Sequence, residues 1–352
     1  MKILNVYRWA TVGGVERVIL NRACAFKQHG LDVRQDVFFF HDSGGLPNFC
    51  KFIEICKLEQ YIGVVTKINE KEYDYIITFD TPEIFSIVKN HSKIIVECHS
   101  PYKESRAYLR SLPNDIACLS VPGETFQKTV VMKELPEAFH GKLCVLPNFH
   151  IVDKSLKNTG VEQAAIWNKK PICYIGRMDA MKNTKELLEI FSSVRNKLGD
   201  EYLLMLVGDV RPHYMDLNET AKKAHLEDRL AYFRPIPYEK VDVLLKKIRQ
   251  HNGIFLSPSQ GESFGLSALE AMSNEVPVLL SDIGCHKHLV AEEDAFMYEL
   301  GNIGQAVQKI ADISENYEKF AKKAKQLASV YSSEGFIEAW EGMRAKINDR
   351  HN

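Results

Sequence analysis

Short, unbroken apolar runs alternate with longer amphipathic stretches twice over along this chain. No other feature constrains its fold as much. In the first half the strand-like runs cover residues 3–7, 33–40, 75–79, 93–98, 116–120 and 143–146, with helix-like stretches at 14–28 and 81–90 between them. The second half repeats the scheme with runs at 172–175, 202–207, 230–233, 253–256 and 276–280. Its helix-like stretches lie at 185–197, 212–224, 238–250 and 263–273, and residues 303–313, 317–330 and 335–347 read as further helices. Strands that are apolar on both faces and alternate with helices imply parallel sheets covered on both sides. Two such series predict an α/β chain of two doubly wound, Rossmann-like domains facing each other across a cleft. A length of 352 residues suits two domains. The join is expected at the turn formers Pro147-Asn148 or just after, which gives domains over 1–150 and 151–332 and a terminal segment over 333–352.

Charge and composition exclude several classes of function. Lys and Arg number 45 against 46 Asp and Glu, a net charge of -1. That balance argues against a nucleic-acid partner, which calls for an excess of base. No apolar stretch approaches the roughly 20 residues needed to cross a bilayer. The first residues read as a strand, with Arg8 following too soon for a signal-peptide core. Eight cysteines are scattered with no Cys-x-x-Cys pair. Several sit in strand-like runs, as buried free thiols would in a reducing compartment, and a cytoplasmic protein is expected.

Ligands of open parallel sheets bind beyond the carboxyl ends of the strands, so chemistry is sought in the loops that follow them. After the run 253–256 the sequence reads Ser257-Pro258-Ser259-Gln260-Gly261-Glu262-Ser263-Phe264-Gly265-Leu266, then a strong helix former. Such a segment aims the backbone amides of Phe264, Gly265 and Leu266 at an anion. Glu262 and Glu270 flank it. Eight helical residues rise about 12 Å, whereas paired hydrolytic carboxylates stand roughly 5–9.5 Å apart. The spacing therefore suits two contacts on one long ligand, an anion with hydroxyl-bearing groups on either side. On spacing alone the pair reads equally as a helix-terminal carboxylate and a surface residue.

After the run 172–175 come Gly176-Arg177-Met178-Asp179-Ala180-Met181-Lys182. Arg177 and Lys182 can neutralise a diphosphate, Arg by bidentate hydrogen bonding and Lys as a point charge. An ordinary solvated basic loop has the same composition. Gly13 and Gly14 follow the first strand and permit close backbone approach, or form a plain turn. They do not make the Gly-x-Gly-x-x-Gly of nicotinamide-cofactor sites. His99 follows the run 93–98, as a ligand contact or a structural histidine. His286-x-His288 has no carboxylate or thiolate at ligand spacing, so no metal is expected there. The glycine-rich stretch 41–47 reads as a flexible loop, and residues 101–110 mix basic and aromatic side chains, which reads as a solvated helix face in preference to a peripheral membrane contact.

Together these features resemble the retaining glycosyltransferases of the GT-B fold, family 4. The family's Glu-x7-Glu signature corresponds to Glu262 and Glu270, its Gly-Arg-x4-Lys loop to Gly176, Arg177 and Lys182, and its Val-Gly-Asp turn to Val207-Gly208-Asp209. Its glycine loop corresponds to Gly13-Gly14 and its inter-domain element to Pro147-Asn148. The resemblance spans the chain and is dense over 171–282. It implies metal-independent transfer of a sugar from a nucleotide sugar, commonly a UDP-sugar, to a glycan or lipid-linked acceptor, with retention at the anomeric carbon and no cofactor. It assigns Arg177 and Lys182 to the leaving diphosphate, Glu262 and His99 to the donor sugar, and Glu270 to the ribose. Ser263, Phe264, Gly265 and Leu266 would line the phosphate and sugar, with Gly13, Gly14 and Gly176 also at the donor. The resemblance further implies that the first domain binds acceptor, the second donor, and that the last helix returns to the first domain.

The sequence departs from the family pattern at Cys285-His286-Lys287-His288, where a further Gly and a Pro-Glu pair are usual, and at Arg234-Pro235. Two other functions fit the same architecture, a nucleotide-sugar epimerase and a non-catalytic sugar-nucleotide-binding protein. Intact Arg177, Lys182, Glu262 and Glu270 speak against the second.

Overall fold

The computed structural model describes residues 1–152, 168–211 and 213–351. The chain divides into two compact units, Met1–Ile151 together with Tyr331–Asn352, and Val152–Val330.

The first unit is built on a seven-stranded sheet with the order β3-β2-β1-β4-β5-β6-β7. Its strands are β1 (Lys2–Ala10), β2 (Arg34–Asp42), β3 (Ile62–Val64), β4 (Tyr75–Phe79), β5 (Ile94–Glu97), β6 (Cys118–Val121) and β7 (Leu143–Val145). Every pairing is parallel. Val6 of β1 stands beside Phe38 on one side and Thr78 on the other, so strand order reverses around β1. The second unit carries a six-stranded parallel sheet with the order β10-β9-β8-β11-β12-β13. Its strands are β8 (Lys170–Ile175), β9 (Tyr202–Val207), β10 (Leu230–Phe233), β11 (Ile254–Ser257), β12 (Val278–Ser281) and β13 (Met297–Tyr298). All six residues of β9 are buried. Here the order reverses between β8 and β11, and the carboxyl ends of these two strands are the place such a sheet offers a ligand.

Several sequence expectations need correction. β3 and β13 have three and two residues, too short to read as apolar runs. The stretch 41–47 is not a flexible loop. β2 continues to Asp42 against Ala10, and the amides of Ser43 and Gly45 both donate to the Ala10 carbonyl, at 2.9 and 3.1 Å. Gly45 packs so closely that a Cβ there would lie 1.9 Å from the Thr11 carbonyl oxygen. A helix, Leu46–Ile55, follows at once and buries Phe49, Phe52 and Ile53. The stretch 81–90 holds only the short helix Ile84–Ile87, because Val88 leaves it in extended conformation. The helix expected from 212 starts at Leu217, where Asp216 caps it by accepting from the Glu219 amide at 3.0 Å. Residue 212 lies outside the described residues.

The final helix, Ser333–His351, packs within the first unit against the helix Gly14–Gln28. Trp340, 1% exposed, meets Phe26 edge-on at 5.9 Å, and Phe336 stacks on Phe149 at 5.0 Å. Truncating a buried aromatic of this size leaves a cavity that costs about 3–5 kcal/mol. Trp340→Ala is therefore expected to lower the denaturant midpoint of the first unit by a corresponding amount, read by chemical unfolding followed by circular dichroism.

Candidate functional site

Two loops meet at the reversal point of the second sheet. β8 ends at Ile175 and passes into Gly176, with φ +156°, whose carbonyl oxygen would lie 2.0 Å from a Cβ on Gly208. Gly208 follows β9 at φ +139°, so these two glycines let the ends of β8 and β9 touch. Beyond Gly176 a single carboxylate organises the loop. Asp179 accepts from Arg177 Nε at 2.6 Å and from the Lys182 amide at 3.0 Å. Tyr174 steadies the same turn by donating to the Arg177 carbonyl at 2.8 Å. Asn183, in the left-handed region at φ +52°, then starts the helix Thr184–Leu198.

The loop after β11 closes on this one. The Gln260 amide donates to the Met181 carbonyl at 2.8 Å, and Lys182 Nζ donates to Glu262 Oε1 at 2.5 Å. Ser259 Oγ donates to the same carboxylate oxygen at 2.9 Å. Burial opposes ionisation of Glu262, but Lys182 and His286 nearby, with the two hydrogen bonds, more than offset it and hold its carboxyl below the usual range. Gly265, at φ +96°, then opens the helix Leu266–Ser273, and no side chain caps that N-terminus. Ser263, Phe264 and Leu266 stand on either side of this turn. Glu270 lies within the helix and is 6% exposed, so it is not a surface residue.

The segment that departs from the family pattern packs directly on this loop. It forms the helix Gly284–Leu289. Cys285 Sγ donates to the Glu262 carbonyl at 2.7 Å, and a Cβ on Gly265 would lie 3.6 Å from His286 Cδ2. His286 is fully enclosed, with Nδ1 3.0 Å from the Ser281 carbonyl, and burial pushes it below the usual histidine range. His288 is exposed, so the two histidines of His286-x-His288 do not share a ligand. Among the described residues no group of three His, Cys, Asp or Glu is placed to hold a metal ion.

The remaining expected residues belong to the first unit. Gly13 caps the helix Gly14–Gln28 in extended conformation, tight against Thr11 and Glu16, whereas a Cβ on Gly14 would meet nothing within 4 Å. Glu16 lies in the first turn and accepts from the Thr11 amide and hydroxyl, both at 2.6 Å. Its carboxylate already complements the positive end of that helix. His99 follows β5 and is 8% exposed. Its amide donates to Asp80 Oδ2 at 2.9 Å, and its Nε2 lies 2.9 Å from Glu97 Oε2. Glu97 in turn holds Arg22 in a bidentate pair at 2.7 and 2.9 Å. Residues 101–110 are solvated on one side, where Lys103, Glu104, Ser105, Ala107 and Arg110 are exposed. Arg106 turns inward to pair with Glu134 at 2.8 Å, and the Tyr108 hydroxyl donates to Asp80 at 2.9 Å. Neither is available to a lipid surface, which leaves Lys103 and Arg110 exposed there.

Thus the structure joins Arg177, Lys182 and Glu262 through Asp179 and Ser259, and places Glu270 on the helix that begins at Gly265. Sequence reasoning missed Asp179, Ser259, Cys285, Arg22 and Glu97. Asp179 and Ser259 stood in plain view inside the motif loops, while Glu97 was hidden in an apolar strand run.

Residues 161–329 match the family described as Glycosyl transferases group 1. A probable sucrose-phosphate synthase of Thermosipho melanesiensis is 30% identical over 198 residues, 52% of this chain and 43% of that protein. An uncharacterized glycosyltransferase, YqgM of Bacillus subtilis, is 24% identical over 246 residues, 69% of this chain and 62% of the relative. The chain thus spans about half the length of these curated relatives. The crystal structure of Anabaena HepE in complex with UDP and glucose superposes with a TM-score of 0.77 at 17% identity, covering 98% of this chain and 99% of that one. The fold is GT-B.

Glu97 yields a test of the buried network. Burial resists its ionisation, but Arg22 and His99 outweigh that and bring its carboxyl from 4.5 down to about 2. A carboxyl lowered by folding stabilises the protein above its unfolded value, and that contribution is lost as pH falls through the folded one. The stability difference between the unaltered chain and Glu97→Gln is expected to shrink as pH falls from about 5 to about 2, as followed by urea unfolding at each pH.

Proposed function

We propose that this protein is a retaining glycosyltransferase that moves a sugar from a nucleotide diphosphate sugar, a UDP-sugar in preference, to a hydroxyl of a glycan or lipid-linked acceptor. The setting we propose is cytoplasmic synthesis of a bacterial cell-surface polysaccharide or glycoconjugate. The observation that carries this reading is the Lys182–Glu262 contact of 2.5 Å, which joins residues 80 apart in sequence at the reversal point of the second sheet. Binding of UDP and glucose by HepE, a protein of the same fold, supports the choice of donor.

On this reading both cations are held by carboxylates until the donor arrives, Arg177 by Asp179 and Lys182 by Glu262. The diphosphate takes over Arg177 and Lys182 and gains the amides at Gly265 and Leu266. Glu262 is then released to accept hydrogen bonds from sugar hydroxyls, and Glu270 receives the ribose diol. As the bond from anomeric carbon to phosphate oxygen breaks, negative charge builds on the leaving diphosphate. Arg177 and Lys182 stabilise that charge where it develops, which lowers the barrier without a metal ion. The acceptor hydroxyl attacks the anomeric carbon from the side the diphosphate leaves, and its proton passes to a donor phosphate oxygen. His99 contacts the donor sugar, and Gly13 and Gly14 keep the end of β1 free of side chains.

Glu262→Ala and Lys182→Ala are expected to fold normally and to lose transfer from a UDP-sugar by about 10²–10³-fold, measured by UDP release in the presence of acceptor and of a chelator. Transfer at the normal rate by both would remove the role assignment. A thermal-shift screen of nucleotide sugars identifies the donor independently, because a ligand at 100 times its Kd stabilises the folded chain by about 2.7 kcal/mol. Epimerised nucleotide sugar formed without any acceptor would instead favour an epimerase.

A further inference from the structure

We propose that Glu97 is a positioning residue: clamped by Arg22, it keeps the ring proton of His99 on Nε2 and so presents Nδ1 as the nitrogen that meets a ligand hydroxyl. The inference rests on the reading of His99 as a donor-sugar contact.

The geometry fixes a proton on Nε2. An ionised carboxylate can only accept hydrogen bonds. Both oxygens of Glu97 are engaged by Arg22, and Oε2 also lies 2.9 Å from His99 Nε2. A lone pair on Nε2 would face that oxygen across 2.9 Å and be repelled, so Nε2 carries the proton. The ring is steadied on its other faces. Asp80 at the end of β4 takes the His99 amide, and the Phe79 ring lies 5.3 Å from the imidazole centroid, tilted by 58°. Nδ1 has no hydrogen-bond partner among the described residues and keeps some contact with solvent, while His99 as a whole is 8% exposed. A buried imidazole with one nitrogen locked and the other open is built to receive a polar group. With the proton on Nε2, a neutral ring offers Nδ1 as an acceptor, which matches a hydroxyl that donates.

Arg22 is what makes Glu97 a fixed partner. It is 2% exposed, and its guanidinium also lies over the rings of Phe79 and Phe336, at 5.6 and 5.4 Å. A guanidinium forked on a carboxylate fixes the plane of both groups. The carboxylate therefore cannot swing away from the histidine.

The test reads the ring proton directly. The full chain is labelled with 15N-histidine, its spectrum is recorded at pH 8, and the His99 signal is assigned from His99→Asn. We expect the Nε2–H form in the unaltered chain. Glu97→Gln lets an amide N–H donate to the ring, so the Nε2–H population is expected to fall, and transfer to drop by about 10²-fold, as for a misplaced catalytic contact. Glu97→Asp is expected to restore part of both. Glu97→Gln alone leaves Arg22 buried without its partner. The double variant Arg22→Met/Glu97→Gln removes both charges together and guards against loss of folding. A predominant Nδ1–H form in the unaltered chain overturns the proposal even if no variant folds. The same Nε2–H population in a folded variant overturns it as well. Transfer at the normal rate by His99→Asn would sink the sugar-contact reading and the ligand half of this proposal, while the spectrum would still decide where the proton sits.

Discussion

Parallel strands buried on both faces leave a chain little room for charge except at the ends of its strands. In the second unit β9 has no exposed residue, and β8, β11 and β12 run through the core beside it. Every ionisable side chain proposed for donor binding in that unit therefore lies beyond a strand end or on the helix that follows. The reversal of strand order between β8 and β11 parts the covering helices at one place, and the loops carrying Arg177, Lys182 and Glu262 both emerge there. Hydrophobic burial and the handedness of the crossovers thus choose the position of the polar residues. The polar residues then choose among themselves how to satisfy one another.

They do so by pairing. Asp179 holds the Arg177 side chain and the Lys182 main chain, while Glu262 holds the Lys182 side chain. A carboxylate with 15% of its side chain exposed, facing an ammonium with 18%, is screened less than a surface pair would be. Such pairing keeps two cations in place without leaving either charge uncompensated in a partly dry site. On the function proposed above, an incoming diphosphate finds the donors already positioned and displaces a carboxylate rather than a loose shell of water. Cys285 and His286 extend the same economy of structure beneath the loop, one holding the Glu262 carbonyl and the other filling the space next to Gly265.

The alternation of apolar runs was enough to read eleven of the thirteen strands, because each of these contains a largely apolar run. β3 and β13 escaped because two or three residues carry no periodicity. The stretch 41–47 misled because glycine and serine suggest freedom, while the Ala10 carbonyl and the Thr11 backbone fix this segment from outside it. At the site, spacing exposed Glu262 and Glu270 but could not tell a surface carboxylate from a buried one. Glu97 stayed hidden for a related reason. Within a strand whose neighbours are isoleucine and valine a charged residue looks like an interruption, and only the fold shows Arg22 waiting for it.

The placement of the last helix bears on how the chain comes to be assembled. Phe336 and Trp340 complete a core whose other walls are Phe26 and Phe149. On a ribosome those walls emerge early, yet the residues that close them follow the whole of the second unit, Val152–Val330. Domains ordinarily fold in order of synthesis. Here the unit begun first is finished last, and until then its half-open aromatic face has to be kept from other chains.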